Sequence, residues 1–219
     1  RGGIGVAPII GPYEDLVRGR QQHRIYSSAL IGLLLTMAIY HLGLAYRRRT
    51  DLPSWIFALL CFALATRRFV MEDGLGLIAH ERMEDAAFFE WWYTLEYVSL
   101  VVIAMTGAQF VLRVVEIAWL AAWRDRFTYV CLAYLVLILV SQVNVFASFL
   151  EPFQGVGVVF FIALVAGLFQ AAWRGDKLAR ILVVGAAAML GAAIHDIFAL
   201  RGAGNTVLLL TYASLFFIL

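Results

Sequence analysis

Residues 25–49 read IYSSALIGLLLTMAIYHLGLAYRRR: 22 apolar-dominated positions closed by Arg47-Arg48-Arg49. As a helix, such a run rises about 33 Å, enough to cross a hydrocarbon core about 30 Å thick. Lipid offers the backbone no hydrogen-bond partners, so a run of this kind must form a helix and bond to itself. The two-residue alternation of an outer-membrane barrel strand is absent.

The rest of the chain repeats this pattern. Of 219 residues, 63% are hydrophobic and 15% charged, whereas a soluble domain is roughly half apolar and a quarter charged. Further spans are expected at about 53–70, 91–112, 127–150, 153–173, 179–200 and 206–219. The last covers only about 21 Å and is expected to be incomplete. Asp51 suits a helix cap and Pro53 a first turn. Trp91, Trp92 and Tyr93 sit where an aromatic belt belongs. Residues 113–126, with Arg113, Glu116, Arg124 and Arg126, suit a helix extension or an interfacial segment. Glu151-Pro152 reads as a turn. The fold class expected is an all-α membrane protein: a seven-transmembrane-helix bundle over 25–219, preceded by a polar tail at 1–24.

Basic residues in short loops set the orientation. One set of connectors holds Arg47, Arg48, Arg49, Arg113, Arg124, Arg126, Arg174, Lys177 and Arg180; the opposite set holds Arg82 and Arg201. The richer side is expected to be cytoplasmic, with the N-terminus outside and the C-terminus inside. Arg18, Arg20 and Arg24 in the tail pull the other way.

Several chemistries find no support. Cys61 and Cys131 both lie in apolar runs and suggest neither a disulfide framework nor a zinc site. The net charge of +2 and the lack of a basic, aromatic-interleaved cluster give no sign of nucleic acid. There is no phosphate loop, metal-ligand spacing or nucleophile elbow. Glu84-Asp85 reads as a solvated acidic connector. The only lysine, Lys177, is in a loop, so a retinal Schiff base within the membrane has no amine.

Ionisable groups inside spans are costly and therefore informative. By the expected topology Arg67, Arg68, Glu96, Asn144, His195 and Asp196 fall within about 10 Å of the outer boundary. Two readings stay open. They form buried ion pairs that fix helix register, or they line a polar pocket for a ligand or a switch between two packings. His41 lies near the inner end of the first span, about 14 Å in depth from His195, which opposes a shared haem; a hydrogen bond to a neighbouring helix is expected instead. No cofactor or metal is expected. Gly185-Ala186-Ala187-Ala188 and Gly191-Ala192-Ala193 suit close helix packing.

A resemblance emerges from these residues in order. Tyr40-His41-Leu42-Gly43-Leu44 before Arg47-Arg48-Arg49, then Phe57-Ala58-Leu59 with Cys61, Ala65 and Arg67, resemble the first two helices of bacterial seven-transmembrane receptors with diverse intracellular signalling modules. Trp92, Leu95-Glu96-Tyr97 and Ser99-Leu100 look like that family's third helix, and His195-Asp196-Ile197-Phe198 like its sixth. Gly11-Pro12-Tyr13 before Arg18, Arg20 and Arg24 is similar to the junction after its periplasmic domain. The resemblance implies a multi-pass protein of the bacterial inner membrane, in which a periplasmic carbohydrate-binding-like sensor domain precedes residue 1. A cytoplasmic kinase, cyclase or phosphatase output would follow the seventh helix, as in two-component or cyclic-nucleotide signalling. On this expectation the chain is part of a longer polypeptide, is not itself an enzyme, and works as a homodimer. The alternative is a small-solute transporter or channel bundle. A conduction path needs polar lining across the bilayer, and the inner half offers little beyond His41. A coiled-coil linker and catalytic domain after Leu219 would separate the two.

Overall fold

A computed structural model describes residues 13–48, 51–71 and 86–188, which are helical apart from their connections. The helices are α1 (Tyr13–Arg47), α2 (Leu52–Met71), α3 (Ala86–Val114), α4 (Ala121–Val140), the short α5 (Val143–Ser148), α6 (Leu150–Trp173) and α7, described over 177–188. Four stretches are long and apolar enough to cross a membrane: Arg24–Arg47, Leu52–Met71, Glu90–Val114 and Leu150–Trp173. Their outward faces are apolar, as with Ile39 and Ile162, each more than 60% exposed. That distribution suits lipid rather than water as the surrounding solvent.

Ser27, Leu30, Leu34, Ala38 and Ala45 of α1 are buried. Leu30, Leu34 and Ala38 pack with Phe57, Cys61 and Ala65 of α2. Both sets recur at three or four residues, one face of a helix. The small side chains among them let the backbones approach. A second core joins α3, α4, α6 and α7, including Val101, Val111, Phe127, Ile138, Phe160 and Leu182. Phe110 of α3 packs against both cores and couples them.

Pairing between α4 and α6 runs in opposite directions in steps of seven residues. Leu120 meets the position of Gly167, Phe127 stacks on Phe160 at 4.2 Å, and Tyr134 stacks on Phe153 at 4.5 Å. A seven-residue step keeps contacts on one face over successive pairs of turns.

The second and third spans fall where the sequence places them, and Asp51 caps α2 through Ser54 N–H at 3.4 Å and its hydroxyl at 2.8 Å. Four expectations change. The first helix begins at Tyr13, directly after Pro12, and not near residue 25. Polar residues such as Glu14, Arg18, Gln21 and Arg24 form helix readily, so the loss of hydropathy there does not end the helix.

The expected span at 127–150 is not continuous. Ser141 and Gln142 are extended, and the Ser141 hydroxyl and N–H both donate to the Leu137 carbonyl. These bonds close the end of α4, and the extended Gln142 opens α5 by accepting from Val145 and Phe146 N–H. Glu151-Pro152 is not a turn but part of the first turn of α6, where proline's missing N–H has no helical partner to lose.

Residues 113–126 do not form a continuous helix extension. After Val114 the chain is extended at Ile117 and makes a 3-10 turn, Ala118–Leu120. Val115, Ile117 and Leu120 point into the bundle, while Glu116, Ala118 and Trp119 point out.

The α6–α7 connection is a Schellman turn. Gly175 N–H donates to the Ala172 carbonyl and Asp176 N–H to that of Ala171. Gly175 adopts φ +99°, which a residue with a Cβ resists. Asp176 Oδ1 then accepts from Leu178 and Ala179 N–H at 2.9 and 3.1 Å, capping α7. The expected seventh span at 206–219, His195 and Asp196 lie outside the described residues.

Candidate functional site

The sequence places Arg67 and Arg68 side by side near the end of α2. Neighbouring positions on a helix diverge by about 100°, so the two guanidinium groups serve different neighbours. Arg68 is buried and its Nη2 donates to Ser27 Oγ of α1 at 2.8 Å. Arg67 turns to α3, where Nη1 donates to the main-chain carbonyl of Glu96 at 3.1 Å. The same carbonyl accepts from the Ser99 hydroxyl at 2.7 Å. Among the described residues, the Glu96 carboxylate makes no ion pair with Arg67 within 4.0 Å. Two adjacent arginines thus tie α1, α2 and α3 at one level.

An aromatic layer continues this level across the bundle. Tyr97, next to Glu96, meets Phe146 of α5 edge-on at 5.0 Å. The Tyr134 hydroxyl donates to the Phe146 carbonyl at 3.0 Å. The chain break after α4 is therefore held in place by a buried tyrosine. Asn144 sits on α5 with an exposed side chain. Among the described residues it makes no side-chain hydrogen bond to Arg67, Arg68 or Glu96, because α5 presents Phe146 inward instead.

Among the described residues, the hydrogen bond expected from His41 to a neighbouring helix is not seen. Its ring meets Phe57 edge-on at 4.4 Å, and Nδ1 is buried with no hydrogen-bond partner among the described residues.

At the opposite end, Gln109 Nε2 of α3 donates to Thr128 Oγ1 of α4 at 2.6 Å, and Arg113 Nε donates to Gln109 Oε1 at 3.2 Å. Sequence reasoning missed two members of the network, Ser27 and Tyr134. Ser27 carried a readable signal. It lies on the same helical face as Leu30, Leu34 and Ala38, so a hydroxyl there is buried and needs a partner. Tyr134 carried none, because its acceptor exists only once α4 breaks.

The arrangement contains positioned donors and acceptors between helices rather than a nucleophile beside a base. It can transmit or resist relative helix motion. The family model described as 7TM diverse intracellular signalling matches residues 23–219. No curated protein and no solved structure matches the chain.

Proposed function

Since the chain belongs to the 7TM diverse intracellular signalling family, and is thus a transmembrane signalling module, we propose that it couples a periplasmic sensor domain to a cytoplasmic output domain of the same polypeptide. The output would be a kinase, cyclase or phosphatase, and catalysis would reside there rather than in these helices. The membrane would be the bacterial inner membrane, crossed seven times, with the basic connectors inside.

One observation carries this reading. The helix α1 runs unbroken from Tyr13 to Arg47, while its apolar span begins only at Arg24. About 16 Å of helix therefore precedes the membrane-spanning part. A rod of this kind carries a displacement at its N-terminal end directly to Ser27, and so to Arg68 of α2. From there Arg67 reaches α3, and Phe110 reaches the second core.

Helical phase tests the rod. Inserting two residues after Arg20 in the full-length protein rotates everything N-terminal by about 200°, whereas seven residues nearly restore the phase. We expect the two-residue insertion to uncouple stimulus from output and the seven-residue insertion to retain most of the response. Equal responses from both would rule out a rigid link.

Orientation is tested by cysteine substitution in intact cells. Cys61 and Cys131 are fully buried and give little background with a membrane-impermeant maleimide. A cysteine at Arg48 or Gly175 should label only after the cells are opened, while one at Gln21 should label from outside. Labelling of position 48 in intact cells would reverse the map.

A further inference from the structure

A cavity of about 270 Å³ opens at the face carrying the basic connectors, between the α3–α4 linker and the α6–α7 turn. Its lining includes Glu116, Trp119, Gly167, Gln170, Arg174 and Asp176. Both walls are built. The Trp119 indole N–H donates to Gln170 Oε1 at 3.1 Å and pins the linker to α6. The opposite wall is the Schellman turn, fixed by the bonds from Gly175 and Asp176 to α6.

The charges decide what fits. Glu116 lies on the linker and Arg174 on the turn, so the cavity has opposite charges on opposite walls. Among the described residues neither side chain has an ion-pair or hydrogen-bond partner. The Asp176 Oδ1 atom is occupied by the start of α7. A simple anion would meet Arg174 but also two carboxylates. A simple cation would leave Arg174 unanswered. A dipolar ligand with its charges in the complementary order satisfies both walls at once.

We propose that this cavity binds an ammonium–phosphate zwitterion, with phosphate at Arg174 and a primary ammonium at Glu116 beside the Trp119 ring. Guanidinium and phosphate pair strongly. A primary ammonium can donate hydrogen bonds to a carboxylate while contacting an aromatic face, which a quaternary ammonium cannot do. The volume is about nine times that of one water in the liquid, ample for phosphoethanolamine. Trp119, in the lining, is about half exposed, as expected of an aromatic residue at head-group level. The same chemistry is available from an ethanolamine phospholipid or from the free headgroup.

Native mass spectrometry of the full-length protein in detergent tests the site. It is titrated with phosphatidylethanolamine, phosphatidylcholine and phosphatidylglycerol of identical acyl chains, with free phosphoethanolamine as competitor. The ethanolamine lipid should be retained in preference to the other two. Glu116→Gln and Arg174→Gln, both at exposed positions, should each weaken that retention by about threefold or more and leave phosphatidylcholine retention unchanged. Displacement by free phosphoethanolamine supports the zwitterion site and makes the soluble headgroup a competent ligand; resistance to displacement with lipid selectivity intact supports it with the lipid as source. Equal retention of all three lipids, or unchanged selectivity in both variants, overturns the proposal.

Discussion

Gly167→Ala should lower the unfolding free energy of the protein by about 1–3 kcal/mol, and Gly167→Val by more. A Cβ at this position would stand 2.8 Å from Leu120 Cδ1 and 3.1 Å from both Ile117 Cδ1 and Cγ2. Distal side-chain atoms can often move aside, but Leu120 is completely buried and Ile117 nearly so. The strain therefore falls on the linker between α3 and α4. It also enters the seven-residue ladder at the end nearest Phe127 and Phe160, whose rings are parallel to within 5°. Denaturant unfolding in bicelles measures the loss. Leu120→Ala should make room for the added methyl, so the double variant should be more stable than the two single losses predict. A neutral Gly167→Ala, or strict additivity with Leu120→Ala, would show that α6 does not approach the linker this closely.

The helical spans were legible because hydropathy and lipid physics leave few choices. The second span was expected at 53–70 and is observed as Leu52–Met71, and the third, expected at 91–112, spans Ala86–Val114. Departures occur where hydropathy carries no information about the backbone. Tyr13 to Arg24 is polar yet helical, since polarity and helix propensity are different properties. Ser141 and Gln142 interrupt an apolar stretch by turning extended, a change of backbone that hydropathy does not register.

The polar level was legible in part. Arg67 and Glu96 do face one another across α2 and α3, but through the main-chain carbonyl of Glu96 rather than its carboxylate. Sequence names the residues that carry charge, whereas any residue supplies a carbonyl. For that reason acceptors such as Glu96 O and Phe146 O are invisible without a backbone.

The contact between Arg68 and Ser27 should behave asymmetrically. Ser27→Ala is expected to cost about 1.5–3 kcal/mol, because a buried guanidinium loses the Ser27 hydroxyl as an acceptor. Arg68→Met should lie within about 1 kcal/mol of the native protein or above it, since an apolar side chain of similar length escapes the cost of burying a charge. The serine left behind has an alternative. Thr36, Thr94 and Thr106 already donate to carbonyls four residues earlier in their own helices, at 2.8, 2.8 and 2.6 Å, and Ser27 can do the same toward residue 23. Unfolding in bicelles ranks the two variants, and Arg68→Met costing more than Ser27→Ala would refute the asymmetry. Basal output of the full-length protein then distinguishes the two roles left open for the polar level. A structural staple predicts lower stability in Ser27→Ala with unchanged output per folded molecule. A switch predicts that both variants shift output, because each alters the relative free energies of two arrangements of α1 on α2, and only such a difference can move a population. Arg68→Met is the sharper of the pair: a protein of undiminished stability whose basal output has moved can only have been biased between folded states.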